Sequence, residues 1–180
     1  MKKTVLKFGL ISGLISASLF IGLMLLGKAD HEDFKHGAVY GYSLMILAFS
    51  LIFVCTKIIR DKENDGVISF GRAFLVGLYI TLIASTIYVI VWEIDYHFFI
   101  PDFADKYATT AVEHLKASGA SEAVIAKKTA DMAKFSEMYK NPFFNVLLTY
   151  TEIVPVGLLV SLISAIALKR KRKDAIPAVV

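Results

Sequence analysis

Three stretches of this sequence, residues 8–27, 37–56 and 73–92, each run 20 residues without a charged side chain. A fourth, residues 141–168, runs 28 with a single charge, Glu152. About 20 consecutive apolar residues carry an α-helix across the hydrocarbon layer of a bilayer. The alternative is a set of buried helices in a water-soluble core, but the remaining polar residues are too few to cover four of them. The pattern therefore predicts one membrane domain over residues 1–180, with spans at about 8–27, 37–56, 73–92 and 146–168. The basic start Met1-Lys2-Lys3 and the small residues around Lys28 resemble a cleaved leader. An apolar leader core is usually about 7–15 residues long, so this longer run reads as a retained span.

Between the third and fourth runs the pattern changes. Pro101-Asp102 has the form of a helix start with Asp102 as N-cap. Phe103, Tyr107, Ala111 and Leu115 then recur at helical spacing. Gly119 is a stop signal, and Ser121 can cap a second helix. On that helix Val124/Ile125, Lys128, Met132, Phe135 and Tyr139 fall near one face, and Asn141-Pro142 ends it. Six acids and six lysines cancel over 102–140. A helix lying on a membrane surface is usually more basic, so the two apolar faces are expected to meet each other. A lid or a docking surface for a partner is the functional alternative.

Composition agrees with the pattern. The chain is 56% hydrophobic, against roughly 45–50% for a soluble domain. Its net charge of +4 is too small to argue for nucleic acid. A single cysteine, Cys55, excludes an internal disulfide framework; at the inner end of the second run it reads as a packing residue. The placement of Lys and Arg sets direction. Lys2, Lys3 and Lys7, then Lys57, Arg60, Lys62 and Arg72, then Lys169, Arg170, Lys171, Arg172 and Lys173 put twelve basic residues on one side. The other side has eight, diluted over longer loops with many acids. Both termini are expected in the cytoplasm, and 169–180 forms a basic cytoplasmic tail.

Lipid tails give helices no hydrophobic reason to associate, so close packing relies on small residues. Gly9, Gly13 and Ala17 recur every four residues, as do Gly37 and Gly41, Gly77, Thr81 and Ser85, and Gly157, Ser161 and Ala165. Packing within one chain is expected, with homodimer contacts as the rival.

Glu152 is the most informative polar residue. A carboxylate at the centre of a membrane helix costs about 2.5 kcal/mol or more, and Pro155 removes the backbone donor to the carbonyl of Thr151. Together they suggest a cation or proton site. A structural role is the rival, because Glu152 falls only about 5 Å inside the expected outer boundary. On the same outer side, Glu93 and His97 are spaced i,i+4, and His31 and His36 follow the first run. Imidazole and carboxylate ligate divalent metals, but the spacing matches no closed zinc site, and a solvated polar rim containing Asp95 is the simpler reading. Arg72 and the run Lys169, Arg170, Lys171, Arg172 and Lys173 suit lipid headgroups, or orientation alone. No nucleophile elbow, Walker loop, zincin motif or dinucleotide fingerprint occurs, so nothing nominates an enzyme or a cofactor.

Several segments together carry a likeness: Ile68-Ser69-Phe70-Gly71-Arg72-Ala73-Phe74 with Gly77, Pro101-Asp102-Phe103, Tyr139-Lys140-Asn141-Pro142, and Glu152-Ile153-Val154-Pro155-Val156-Gly157 followed by Leu162-Ile163-Ser164-Ala165. On these the chain resembles a bacterial family of small four-span membrane proteins described only as a domain of unknown function. The resemblance runs from the first span through Lys171. It implies an integral inner-membrane protein and no particular activity.

The fold class expected is an all-α membrane protein, a four-transmembrane-helix bundle with an extracytoplasmic two-helix hairpin between spans 3 and 4. The expected role is that of a non-enzymatic accessory or interaction subunit. Membrane lipids and a membrane or periplasmic protein are its expected partners. The rivals are a small proton- or cation-coupled transporter using Glu152, with Glu93 and His97 as further candidates, and an outer-face metal or pH sensor using His31, His36, Glu93 and His97.

Overall fold

The computed structural model describes residues 1–25 and 34–171. Six helices run through them: α1 (Lys2–Leu25), α2 (Phe34–Glu63), α3 (Phe70–Phe98), α4 (Phe103–Ala117), α5 (Glu122–Tyr139) and α6 (Pro142–Leu168). α1, α2, α3 and α6 each contain a segment long and apolar enough to cross a membrane. These helices outrun the uncharged stretches. α2 continues through Lys57, Arg60 and Lys62, and α3 through Glu93, Asp95 and His97. The lysines and the arginine of α2 tolerate this because their stems pack while their heads reach water, and a continuing helix keeps its backbone groups bonded.

The chain divides into two compact units, Met1–Trp92 with Tyr150–Val180, and Glu93–Thr149. In the first, Met45, Phe49, Ile52 and Cys55 of α2 are buried with Ala73, Val76, Ile80 and Ala84 of α3 and Ile153 and Ala165 of α6. Those spacings are the three- and four-residue steps of one helix face. Outside this core the side chains remain apolar: Leu14, Ile46 and Ile163 are 57%, 59% and 56% exposed. Water penalises so continuous an apolar exterior, whereas hydrocarbon does not.

Small residues set how closely the helices approach. A Cβ added at Gly9 would lie 2.9 Å from Ile83 Cβ, and one at Gly13 2.6 Å from Ile87 Cδ1, so α1 rests against α3. α3 and α6 meet antiparallel, Gly77 against Ser161 and Gly157 against Thr81. The Thr81 and Ser161 hydroxyls are 3.3 Å apart in that seam. Ser12 Oγ donates to the Ala48 carbonyl at 2.9 Å and links α1 to α2. The expected stripe on α2 differs. An added Cβ at Gly41 meets nothing within 4 Å among the described residues, and Gly37 lies outside the part whose packing is described.

The turn after α2 depends on Gly66, at φ +75°, whose N–H donates to the Arg60 carbonyl at 2.8 Å. Two residues later the chain makes a reciprocal pair with the end of α6. Ile68 N–H donates to the Arg170 carbonyl at 3.2 Å, and Arg170 N–H to the Ile68 carbonyl at 2.9 Å.

In the second unit α4 and α5 contact each other through the aromatic stripe read from the sequence. Tyr107 and Phe135 have ring centroids 5.8 Å apart, and Phe103 and Tyr139 also 5.8 Å. Ile125, Lys128, Met132, Phe135 and Tyr139 form the covered face of α5, while Val124 is exposed. Asp102 and Ser121 take the N-cap positions without making a side-chain cap bond. Asp102 pairs with Lys106 at 3.1 Å instead. Gly119 ends α4 as expected, at φ +75°, with the Ala120 N–H reaching back to Leu115. Gly119→Ala is expected to destabilise this unit by about 1 kcal/mol, because a Cβ disfavours the left-handed region; thermal melts of the variant beside the parent measure it.

Candidate functional site

The buried stripe of α3 runs Ala73, Val76, Ile80, Ala84, Tyr88 and Trp92. One further helical step along it reaches Asp95 and Tyr96, and both are buried. Asp95 is 0% exposed, as is Asn145 in the first turn of α6. Thr149, one turn on, donates its hydroxyl to the Asn145 backbone carbonyl at 2.9 Å. A carboxylate withdrawn from water is held only by compensating partners or by a proton, so Asp95 does not belong to the solvated rim that the sequence suggests. The signal was present in the sequence as the continuing 3.6-residue period, although the charge masked it.

Glu93 and His97 do come together. His97 Nδ1 lies 3.7 Å from Glu93 Oε2, across one turn of α3. That distance suits an ion pair when the imidazole is protonated and exceeds a hydrogen bond. The other oxygen, Glu93 Oε1, is buried without a hydrogen-bond partner. Among the described residues no group of three or more His, Cys, Asp and Glu converges closely enough to hold a metal ion. His31 lies outside the described residues, and so does the side chain of His36.

Glu152 belongs to the first unit. Its side chain is exposed on α6, and it lies within electrostatic reach of the buried Tyr88, as does Tyr42. α6 continues through Pro155 without interruption.

The other ends of the four long helices carry the basic residues. Arg72 donates from Nη1 to Asn64 Oδ1 at 2.7 Å and from Nη2 to Met1 Sδ at 3.6 Å. Glu63 accepts the Thr4 hydroxyl at 2.6 Å and pairs with the Met1 amine. Arg60 forks onto Asp61 at 2.6 and 3.1 Å, a geometry that fixes the guanidinium plane. Lys169 and Lys171 are exposed and Arg170 is half-buried; Arg172 and Lys173 lie outside the described residues. In the second unit Lys140 donates to Glu137 at 2.8 Å, which raises the ammonium above its ordinary pKa.

Residues 7–170 match the family model described as "Protein of unknown function (DUF4199)". This agrees with the resemblance read from the motifs. No curated protein and no solved structure matches the chain.

Proposed function

We propose, from the premise that this chain belongs to the family described as "Protein of unknown function (DUF4199)", that it is a non-enzymatic accessory subunit of the bacterial inner membrane. In this reading the four long helices form a bundle, both termini face the cytoplasm, and α4 and α5 form an extracytoplasmic hairpin that meets a membrane or periplasmic protein. One observation carries it. The four apolar helices expose Leu, Ile, Val and Phe along their lengths, and the basic residues gather where α1 and α3 begin and α2 and α6 end. In this reading those four ends share one side of a bilayer, and the excess of Lys and Arg supports the cytoplasmic side. α4 and α5 cover their aromatic rings on one another and turn charged residues outward, as expected of a module that contacts protein rather than lipid.

Single cysteines at Val124 and Lys171 in a Cys55→Ser background test the arrangement. A membrane-impermeant maleimide applied to intact spheroplasts is expected to label the Val124→Cys protein. The Lys171→Cys protein is expected to react only after lysis. The opposite pattern overturns the topology. For the accessory role, a photo-crosslinker at Val124 is expected to join the chain to a second, different polypeptide in stoichiometric yield; adducts only with itself overturn that role.

A further inference from the structure

α1 and α3 run side by side in the same direction, closest where Gly9 faces Ile83 and Gly13 faces Ile87. On the other side of Gly9, toward the helix starts, α1 carries Val5 and Leu6 where it has glycine further on. A cavity of about 530 Å³ opens there, walled on the α3 side by Leu75, Val76, Tyr79 and Ile83. Its lining is mostly apolar and includes two cations, Lys2 and Arg72.

The length of the groove is informative. Arg72 to Ile83 is eleven residues, about 16 Å at 1.5 Å per residue. One leaflet of hydrocarbon is about 15 Å thick, half of the roughly 30 Å core. The lining therefore extends over about the thickness of one leaflet, with Lys2 and Arg72 toward one end and Ile83 at the other.

Arg72 is oriented by Asn64 Oδ1 at 2.7 Å. A guanidinium has five N–H donors in all, so donors remain beyond this contact and the longer one from Nη2 to Met1 Sδ. The nearby acid Glu63 is engaged by Thr4 and the Met1 amine and also lies within electrostatic reach of Arg72, so an outside anion would share the Arg72 charge with Glu63 and meet Lys2 as a second cation on the lining. A second copy of this chain is a poor occupant, because its helix ends at the same height are themselves basic.

We infer that this groove holds one anionic glycerophospholipid, with an acyl chain against Val5, Leu75 and Tyr79 and the phosphate between Lys2 and Arg72. The inference rests on the four long helices spanning a bilayer. It gives Arg72 a specific ligand where positive-inside orientation requires only a charge.

The test is native mass spectrometry of the full chain in a mild neutral detergent, titrated with phosphatidylglycerol or phosphatidylcholine. One bound phosphatidylglycerol is expected, about tenfold or more tighter than phosphatidylcholine, since each cation contributes near a surface. The Lys2→Gln/Arg72→Gln double variant is expected to lose that preference, Arg72→Lys to keep most of it, and Leu75→Trp, which fills the groove, to weaken both lipids. Equal retention of the two lipids by the parent, or a double variant that binds like the parent, overturns the inference. Binding of inorganic phosphate without lipid, or a cysteine at Leu75 that crosslinks two copies in quantitative yield, overturns it as well. A chain found in the membrane fraction but indifferent to lipid charge sinks this inference alone; a chain found in the soluble fraction sinks the spanning reading beneath it.

Discussion

Gly157→Val should cost about 3 kcal/mol or more, the upper end for forcing extra methyl groups into a packed interior. A Cβ at Gly157 would lie 2.6 Å from Thr81 Oγ1 and 2.9 Å from Phe49 Cζ. Neither neighbour has room to retreat: Thr81 and Phe49 are fully buried, and Thr81 is held in the seam by Ser161. Between helices in lipid, close approach supplies the attraction itself, so a wedge removes contacts along several turns. Gly157→Ala is expected to lie between parent and valine variant. Adding Thr81→Ala to Gly157→Ala should recover part of the loss, because both crowding atoms of Thr81 are removed, giving a coupling of about 1 kcal/mol. Gly41→Ala is the contrast. With open space at that Cβ among the described residues, it should be neutral or stabilising by up to about 1 kcal/mol, the helix-propensity difference. Detergent-solubilised melts of these four variants and of Thr81→Ala alone, which closes the cycle, measure the series; equal shifts for Gly157→Ala and Gly41→Ala would remove the seam from the account.

Tyr139→Ala is the second large effect. Tyr139 is 5% exposed, and its ring lies 5.4 Å from Tyr96, 5.8 Å from Phe103 and 5.4 Å from Phe135, centroid to centroid. Truncating so buried an aromatic costs about 3–5 kcal/mol, and tilted and edge-on pairs add to simple burial. Because the rings join α5 to α4 and to the end of α3, the loss should concentrate in one unit. Hydrogen exchange is expected to accelerate across α4 and α5 while α1 and α2 keep their protection. Tyr139→Phe should cost much less. Uniform acceleration across all six helices would show that the two units do not melt separately.

Much of the fold was legible because the bilayer imposes a simple rule. Uncharged runs of 20 residues have few alternatives to a helix, and the described part of each lies in one. Gly119 was legible for a different reason, since a left-handed residue after a helix is a glycine habit. What escaped were features set by tertiary contact. In the sequence Asn141-Pro142 has the form of a helix stop after α5, yet Asn141 Oδ1 also accepts the Phe143 N–H at 3.0 Å and Pro142 opens α6. The same two residues suit both readings, because a proline that stops one helix is preorganised to start the next. Asp95 escaped because charge outweighs periodicity in a first reading, although its position extends the buried stripe of Ala84, Tyr88 and Trp92. Asn145 carried no signal beyond polarity within an apolar run. The caps expected of Asp102 and Ser121 failed locally, the former because Lys106 offers its carboxylate a cation one turn away.

The reciprocal bonds between Ile68 and Arg170 bear on the glycine–hydroxyl seam between α3 and α6. Small residues repeated every four positions make a nearly smooth rail, and one helix could re-seat on the other a full turn higher or lower with little change in contact. The paired backbone bonds allow only one setting. They act as a detent at the foot of α6, breaking both at once if the helix rides up or down, so the depth of every side chain on that helix, Glu152 included, is pinned from its far end.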